Sequence, residues 1–489
     1  MSASQPTAAT SVMVSPPPLE PPRAPLDLSR PHRIHIVGVG GPGMSAIAIA
    51  LAQMGHAVSG SEIRDRPVLE RLRVAGVDVH VGHSRALVEG CDAVTYSTAI
   101  PESNIELDEA RARDIVTLRR AGMLASICAR SRSLAVAGTH GKTTTTSMLM
   151  LILAEARLRP SFIVGGDVTD VGTGAQWTGE EWLVVEADES DGTHLELPLH
   201  GTVLTNVDVD HLDHYGTVEA IEDGFATFLR QIPGPKAICI DDPGCRRLLE
   251  REALAGVITY GTSEDAQVRA VEPEPSSGAY RFRVVSAGED LGLVELPLRG
   301  LHNVRNATGA IALAMSIGVG FDDCASALAR FGGVARRFDI RGADAGATLV
   351  DDYGHLPAEI AAVLAAARES GDGWRRVIAV FQPNRFNRMV TLWPEYRDAF
   401  VDADVVVLTE IFPSGTTPIP GVTGRLVVNA VLDAHPDARV VWIPRRPELV
   451  DFVAKELRDG DVCISMGCGD IASFPDEVLD RRRELAARA

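Results

Sequence analysis

The sequence predicts an α/β protein of three domains, each built on a mostly parallel open sheet. Short apolar segments alternate with helical patterns along most of the 489 residues, which is typical of parallel sheets. One hydrophobic core rarely grows beyond about 250–300 residues, so several domains are expected. Two of the apolar segments run directly into glycine-rich turns and then helices, as strands do in nucleotide-binding domains.

The composition is that of an ordinary globular protein, with 45% hydrophobic and 23% charged residues. The net charge of −19 argues against nucleic-acid binding and against binding to an anionic membrane surface. The seven cysteines include no C-x-x-C pair, which favours reduced thiols in a cytoplasmic protein. No signal-peptide pattern and no apolar run of about 20 residues is present, so we expect no membrane span.

Residues 1–31 are rich in proline, serine and alanine, and they are predicted to form a disordered or extended tail. Residues 32–120 are predicted to form the first domain, a Rossmann-like unit. Its first strand, 34–37, leads into a G-x-G-x-x-G turn at 38–43 and then a helix. Further strands are expected at 57–62, 77–81 and 93–98.

The glycines of this turn suit the diphosphate of a bound nucleotide. The second strand ends in Glu62, about where a ribose-binding carboxylate would lie. NAD is the obvious ligand, but a nucleotide sugar satisfies the same physical requirement. The candidate binding residues in the turn and the helix after it are Gly40, Gly41, Gly43, Met44 and Ser45.

Residues 121–335 are predicted to form the second domain, a P-loop ATPase unit. An apolar strand runs into G-T-H-G-K-T, and a helical pattern follows. Glycines let backbone N–H groups converge on phosphate oxygens at a helix N-terminus. Lys142 can reach the outer phosphates and the Thr143 hydroxyl can bind magnesium. The predicted ATP-binding residues here are Gly138, Thr139, His140, Gly141, Lys142, Thr143 and Thr144.

Two further strands of this domain end in acidic residues. The first runs into E-A-D-E-S-D at 186–191, and the second runs into a segment of acids and histidines at 206–214. Magnesium on a triphosphate prefers oxygen ligands, so metal-facing residues are predicted at both strand ends. Beyond them we expect strands near 237–242 and 257–261, antiparallel strands within 265–298, and a helix from Gly300.

A linker near 332–333 precedes the third domain, residues 336–489, which is predicted to be Rossmann-like. Its strands are expected at 347–352, 377–381, 405–409, 440–443 and 462–465. Ligands of such sheets bind at the carboxyl ends of the strands. The candidate site segments of this domain are therefore 351–355, 382–388 and 466–470.

Taken in order, these motifs resemble the Mur ligase family, and the resemblance runs from Arg33 to the C-terminal helix. It is carried by segments at 38–48, 138–146, 186–191, 205–211, 300–303, 336–338, 351–353 and 381–383. The resemblance implies an ATP- and Mg²⁺-dependent amide ligase, ADP-forming, acting in peptidoglycan precursor synthesis. It also implies UDP-N-acetylmuramate and L-alanine as substrates, joined through an acyl-phosphate intermediate.

The resemblance also implies roles for individual residues. The implied magnesium ligands are Thr143, Glu186 and His211. The implied contacts to adenine and to the rest of the nucleotide are His302, Asn303, Arg337 and Asp352. The implied catalytic residues are Lys142, Glu186, His211, Tyr353, His355, Arg385 and Arg388. The residues implied to lie beside the UDP-binding turn are Ser97 and Thr98.

The sequence departs from the family pattern at Gly354, Leu356, Asn384 and Phe386, beside the implied amino-acid pocket. Another amino acid or a preformed peptide therefore stays open as the substrate. Two alternatives come from other classes. An NAD-dependent oxidoreductase leaves the P-loop and both acidic strand ends unexplained, and a nucleotide-switch protein, which rests on the P-loop alone, would bind a nucleotide without amino-acid-dependent turnover. We further expect a monomer or homodimer, and closure of the third domain about a hinge at 332–342 that keeps water from the acyl phosphate.

Overall fold

The computed structural model describes residues 24–210 and 215–488. Within these residues, three sheets form the cores of three successive domains. Most neighbouring strands are parallel, and helices connect them. The predicted α/β class with three open, mostly parallel sheets is confirmed.

The first sheet is parallel throughout and has the strand order β3-β2-β1-β4-β5. Its strands are β1 (Arg33–Val37), β2 (Ala57–Glu62), β3 (Asp78–Val81), β4 (Ala93–Tyr96) and β5 (Val116–Arg119). Its helices are Pro42–Gln53, Pro67–Val74 and Ile105–Ala112, and Arg120–Cys128 leads to the second domain. The edge strand β5 was not predicted, because four residues with two polar side chains give little apolar signal.

The second sheet has the strand order β15-β14-β13-β12-β11-β10-β6-β9-β7-β8. Its strands are β6 (Arg132–Ala137), β7 (Ser161–Val168), β8 (Thr173–Gln176), β9 (Trp182–Glu186), β10 (Gly201–Leu204), β11 (Lys236–Cys239), β12 (Val257–Gly261), β13 (Val268–Ser276), β14 (Ala279–Ser286) and β15 (Glu289–Leu296). Its described helices are Lys142–Glu155, Val218–Gln231, Pro243–Arg251, Leu301–Ser316 and Phe321–Ala329.

The predicted antiparallel strands of this domain are β13, β14 and β15. The hairpin of β7 and β8 was missed. Two glycines interrupt the apolar pattern of β7, and the sequence of β8 is T-G-A-Q. Neither segment shows the periodicity by which strands are recognised.

The third sheet has the strand order β16-β17-β21-β18-β19-β20, with only β16 antiparallel to its neighbour. Its strands are β16 (Asp339–Asp344), β17 (Ala347–Asp352), β18 (Arg376–Phe381), β19 (Val405–Leu408), β20 (Val440–Trp442) and β21 (Asp461–Met466). Its helices are Pro357–Glu369, Phe386–Leu392, Arg425–Ala434, Arg446–Glu456 and Phe474–Ala486.

The connection between the second and third domains is shorter than the predicted hinge over 332–342. The C-terminal part of that segment belongs to β16, which pairs with β17. On the other side, Val334 forms an antiparallel bridge with Val168 of β7. Between them, Arg336 and Phe338 have φ angles of 63° and 46°, a strained conformation for residues other than glycine. The connection that belongs to neither sheet is therefore limited to about 335–338.

The predicted N-terminal tail also differs in part from the structure. Leu28 is buried, and Leu26 N–H donates to Ser126 Oγ (2.8 Å). Residues 24–31 therefore pack against the folded chain, whereas 1–23 lie outside the described residues. In the part of the chain that is described, no helix combines the length and apolar character needed to cross a bilayer.

Candidate active site

The phosphate loop lies at the carboxyl end of β6. Gly138 and Gly141 have φ angles of 125° and 82°, which glycine adopts easily. Space is restricted as well, because a Cβ atom on Gly141 would lie 2.8 Å from Asn306 Oδ1. His140 N–H donates to Asn206 Oδ1 (2.8 Å), and the Asn206 amide donates to His140 O (3.0 Å). The loop is therefore held in shape by its glycines and by the Asn206 side chain, and it passes close to Asn306.

Lys142 follows this loop as the first residue of its helix. Its Nζ donates to Gly138 O (2.7 Å) and to both carboxylate oxygens of Glu189 (2.8 and 3.0 Å). Burial disfavours the charge on Lys142, but Glu189 and Asp188 outweigh it and raise the lysine pKa. Burial raises the pKa of Glu189 to about 7. The predicted phosphate-binding lysine is thus held at the loop by a buried carboxylate.

Thr143 and Glu186, two of the implied magnesium ligands, lie together. Glu186 ends β9, accepts from Gly165 N–H (2.6 Å) and interacts with the Thr143 side chain. Burial raises the pKa of Glu186. One hydroxyl and one carboxylate fit magnesium carried by a nucleotide, since this ion keeps water and phosphate oxygens as its other ligands. The third implied ligand, His211, lies outside the described residues.

Within the described ranges, no group of three or more histidine, cysteine or carboxylate residues forms a metal site. Magnesium was predicted at both acidic strand ends. At the end of β9, a magnesium ion would therefore need oxygen ligands from the nucleotide. At the second strand end, Asp208 contacts His140 and Asp210 contacts Arg388.

His140 connects the phosphate loop to the third domain. Its Nε2 lies 3.1 Å from Asp208 Oδ2, and its Nδ1 lies 3.2 Å from Glu359 Oε1. Burial alone would lower the pKa of His140, but these two carboxylates raise it to about 9. Glu359 belongs to the first turn of helix Pro357–Glu369. The third domain therefore contacts the loop directly.

The implied nucleotide contacts of the third domain face the end of β9. Asp352, at the end of β17, accepts from Phe338 N–H (2.8 Å). Burial raises the pKa of Asp352 to about 6, against the effect of Arg337. The Arg337 guanidinium lies 5.1 Å from the centre of the Tyr353 ring and also interacts with Glu186 of the second domain. Groups from both domains thus surround one space.

His355 has a fixed ring orientation in this space. Its Nδ1 lies 3.2 Å from Tyr353 O and 3.3 Å from Glu359 Oε2. Both of these oxygens accept hydrogen bonds, so Nδ1 carries the proton of the neutral ring and Nε2 keeps a lone pair. Burial lowers the pKa of His355 to about 4, although Glu359 opposes this effect.

The two arginines predicted near the amino acid have different surroundings. Arg388 donates to Asn384 Oδ1 (2.9 Å) and to Asp210 Oδ1 of the second domain (3.2 Å). Among the described residues, the Arg385 side chain has no hydrogen-bond or ion-pair partner. Arg385 also has a φ of 60°, and such strain concentrates at functional sites. The Arg385 side chain is therefore unpaired among the described residues, whereas Arg388 links two domains.

The implied adenine contacts lie at the start of helix Leu301–Ser316. The Asn303 side chain donates to Arg299 O (2.8 Å) and accepts from Asn306 (3.3 Å). Burial lowers the pKa of His302 to about 4, so its ring is neutral at pH 7. Asn306 lies between this group and Gly141 of the phosphate loop, and no role was predicted for it.

The glycine turn of the first domain has a different environment. Gly40 N–H donates to Glu62 Oε2 (3.1 Å), and a Cβ atom on Gly40 would lie 2.6 Å from the same oxygen. Glu62, which was predicted to bind a ribose, thus packs against the turn and accepts a hydrogen bond from it. Met44 is buried in the core, and Ser45 Oγ donates to Pro42 O (2.9 Å). Both of these residues support the turn from within the domain.

The remaining predicted residues around this turn lie at the same edge of the sheet. Ser97 and Thr98 follow β4 directly, and Gly38 would bring a Cβ atom to 2.8 Å from Ile100 Cδ1 of that turn. Gly41 and Gly43 begin the helix after β1.

Arg120 joins this turn to the second domain, and sequence analysis missed it. A Cβ atom on Gly43 would lie 3.3 Å from Arg120 Nη1. Arg120 Nη2 donates to Asp188 Oδ2 (2.7 Å) and Asp191 Oδ2 (2.9 Å). Burial lowers the pKa of Arg120, but the two aspartates outweigh it and keep the guanidinium charged. One cation therefore lies between the glycine turn and the acidic end of β9.

Three family models match the chain in sequence order. The catalytic-domain model of the Mur ligase family matches residues 33–132, and the Mur ligase middle-domain model matches residues 136–314. The model of the Mur ligase glutamate ligase domain matches residues 336–469. Together these matches span all three sheets.

Curated relatives match over nearly their full length. A UDP-N-acetylmuramate–L-alanine ligase of Bradyrhizobium sp. (strain BTAi1) is 43% identical over 449 residues, which is 90% of this chain and 96% of the relative. An enzyme with the same name from Anaeromyxobacter sp. (strain Fw109-5) is 44% identical over 454 residues, or 92% and 98% of the two chains.

Solved structures show the same architecture. The UDP-N-acetylmuramate–alanine ligase of Thermotoga maritima has a TM-score of 0.78 and 27% identity, covering 93% of this chain and all of that chain. A murein peptide ligase of Psychrobacter arcticus has a TM-score of 0.69 and 24% identity, covering 92% and 98%. The three matched family models, together with curated relatives that are 43–44% identical over 90% or more of the chain, establish that this chain belongs to the Mur ligase family.

Proposed function

We propose that this protein joins L-alanine to UDP-N-acetylmuramate with cleavage of ATP to ADP and phosphate, in peptidoglycan precursor synthesis. The observation that carries the proposal is the meeting of two domains at one phosphate loop. Lys142 and Glu186 come from the second domain, and Arg337, Asp352 and Glu359 come from the third. The substrates follow from the names of relatives that are 43–44% identical over 90% or more of the chain.

In the first step, the acceptor carboxylate attacks the γ-phosphate of ATP, and ADP leaves. Such phosphoryl transfer depends mainly on positioning and on charge neutralisation. The loop N–H groups and the Lys142 ammonium supply positive charge at the phosphates. Magnesium bound by Thr143 and Glu186, with His211 as a further ligand, would add charge neutralisation to the nucleotide.

In the second step, the alanine amine attacks the acyl phosphate, and phosphate leaves from the tetrahedral intermediate. Arg385 is available to bind the alanine carboxylate, since charge-assisted pairs with carboxylates suit a guanidinium. His355 has a lone pair on Nε2 and can accept a proton from the amine. Tyr353 and Arg388 complete this side of the site.

The first domain would hold the UDP part of the acceptor at Gly40, Gly41 and Gly43, with Ser97, Thr98 and Glu62 around them. Arg120 supports this assignment, because a guanidinium beside a glycine turn suits a diphosphate. The domain limits of 32–120, 121–335 and 336–489, the second magnesium, a cytoplasmic location and a monomer or homodimer also belong to the proposal.

The test is phosphate release from ATP with UDP-N-acetylmuramate as acceptor and a panel of amino acids and peptides. We expect release that depends on both substrates and is fastest with L-alanine. The panel matters because Gly354, Leu356, Asn384 and Phe386 lie near the amino-acid side of the site. Faster release with another amino acid or with a peptide would overturn the substrate assignment.

A binding experiment separates the ligase from the oxidoreductase alternative. Calorimetry should detect UDP-N-acetylmuramate binding and no binding of NADH to the intact protein. The glycine turn suits either diphosphate, but only the ligase also needs the other two domains. Tight NADH binding without a response to UDP-N-acetylmuramate would contradict the proposal.

A further inference from the structure

Glu359 contacts four groups of three residues with its two carboxylate oxygens. Oε1 lies 3.2 Å from His140 Nδ1 of the phosphate loop. Oε2 accepts from His355 N–H (2.8 Å) and Leu356 N–H (3.1 Å), and it lies 3.3 Å from His355 Nδ1. The side chain is 13% exposed. It is the only residue within the described ranges that contacts both histidines through a carboxylate.

The contacts of His140 fix its protonation by geometry alone. Its two ring nitrogens each face a carboxylate oxygen, from Asp208 and from Glu359. An ionised carboxylate only accepts hydrogen bonds, so both nitrogens must carry hydrogen and the ring is an imidazolium. Without the charge on Glu359, nothing on that side would require a proton on Nδ1.

The contacts of His355 fix its tautomer in a similar way. Nδ1 faces Glu359 Oε2 and the Tyr353 carbonyl, so the hydrogen of the neutral ring stays on Nδ1. A carboxylate that orients an imidazole through Nδ1–H leaves Nε2 directed away with its lone pair.

We propose that Glu359 is a positioning residue that sets the state of two site histidines at once: the charged His140 on the phosphate loop and the neutral, Nδ1-protonated His355. Through the first histidine it docks the third domain on the loop, and through the second it prepares the base for the incoming amine. The kinetic part of this inference rests on the proposed ligase function, whereas the spectroscopic part does not.

The variant Glu359→Gln separates this role from helix capping. Glutamine at the third helical position still accepts from the backbone N–H groups of the helix start. Its amide NH₂ would then face His140 Nδ1, and two donors cannot bond. His140 must therefore lose the Nδ1 proton and its charge. Glu448→Gln is the matched control, because Glu448 occupies the same position of helix Arg446–Glu456 and, among the described residues, pairs only with Arg445.

The experiment combines ¹⁵N NMR of histidine side chains with steady-state kinetics of the full-length enzyme. His140→Asn identifies the His140 signals among the 13 histidines. We expect both His140 nitrogens to be protonated at pH 7.5 in the wild-type enzyme, and one of them to be unprotonated in Glu359→Gln. We expect kcat of Glu359→Gln to fall about 10- to 100-fold, as for misplaced catalytic groups, and KM for L-alanine to rise.

The KM for UDP-N-acetylmuramate should not change, because that substrate binds the first domain, and the melting temperature should stay within about 2 °C because the cap remains. Glu448→Gln should behave like the wild type. Unchanged His140 signals and kcat in Glu359→Gln would overturn the inference, and so would a loss of activity that matches a loss of thermal stability. A wild-type enzyme that is inactive with these substrates but shows the His140 shift would contradict the proposed function alone.

Discussion

The glycine turn of the first domain and the phosphate loop of the second have the same plan of strand, glycines and helix, but they differ in charge. The turn at 38–43 is contacted by Glu62, and its own helix begins without a basic residue. The cation beside it, Arg120, belongs to another helix and is paired with Asp188 and Asp191. The loop at 138–141 is followed by Lys142, which is paired with buried Glu189. The first arrangement suits a ligand that is held without reacting, and the second suits a phosphate that is transferred.

The largest expected effect comes from removing the charge of the phosphate loop. Lys142→Ala should lower turnover on the order of 10²-fold or more, because a preorganised cation on a transferring phosphate is lost. UDP-N-acetylmuramate binding, measured by calorimetry, should remain. Lys455→Ala is the control, since Lys455 is exposed and pairs with Asp451 (2.5 Å). Near-normal turnover in Lys142→Ala would contradict the inference that the phosphate loop, unlike the glycine turn, takes part in phosphate transfer.

A smaller effect is expected from a methyl group added to the phosphate loop. Gly141→Ala must adopt a φ of 82° and displace Asn306 from 2.8 Å, which costs about 1–2 kcal/mol for the backbone alone. ADP binding should therefore weaken about 10-fold.

Gly41→Ala provides the contrast in the first domain. Gly41 has a φ of −70°, and its Cβ atom would meet nothing closer than 3.6 Å. The ADP affinity and the melting temperature of Gly41→Ala should match those of the wild-type protein. An equal loss of ADP affinity in Gly141→Ala and Gly41→Ala would contradict this explanation. The two loops would then not differ in the backbone conformation and space that their glycines require.

Solution scattering tests whether the two loops differ in their control of domain closure. UDP-N-acetylmuramate alone should change the radius of gyration little. In the described interactions, the third domain contacts the second domain and not the glycine turn of the first domain. Adding a non-hydrolysable ATP analogue should reduce it, since the third domain meets the phosphate loop. An unchanged scattering curve at saturating concentrations of both ligands would argue against hinge closure about 335–338.

The smallest expected effect is a pH dependence confined to the phosphate loop. The pKa of His140 is raised to about 9 from its usual 6.5. A raised pKa stabilises the folded state below about pH 6.5, and this contribution is lost as pH rises through about 9. The melting temperature should therefore fall between pH 6.5 and 9.5, and fall less in His140→Asn. An identical slope in both proteins would mean that His140 does not carry this charge.

Much of the fold could be predicted from the sequence, because central strands are continuous apolar segments and their ends carry motifs. The strands that escaped prediction, β5, β7, β8 and β16, are short, polar or interrupted by glycine. In β16, the pattern D-I-R-G-A-D resembles a linker, and it becomes a strand because β17 lies beside it. Tertiary pairing decides the structure of such segments.

The candidate site divides in the same way. The grouping of Lys142, Thr143 and Glu186 beside one loop could be predicted, because each belongs to a local motif at the end of a strand. Glu359 could not, since its partner His140 is 219 positions away in the chain. Glu189 was within a recognised motif, but its contact with Lys142 depends on how β9 lies beside β6. Asn306 and Arg120 likewise gain their roles only from the packing of distant segments.

The short connection at 335–338 has a consequence for how the third domain moves. Val334 is bridged to β7, and Arg336 is bound to Asp351 (2.9 Å) and to Gly467 O (2.7 Å) of the third domain. Few backbone dihedrals remain between these two anchored segments, so we expect any closure of the third domain to follow one axis. Such an axis would return the same side chains to the same places at each closure. The short connection would thus limit the orientations that the third domain can take relative to the second.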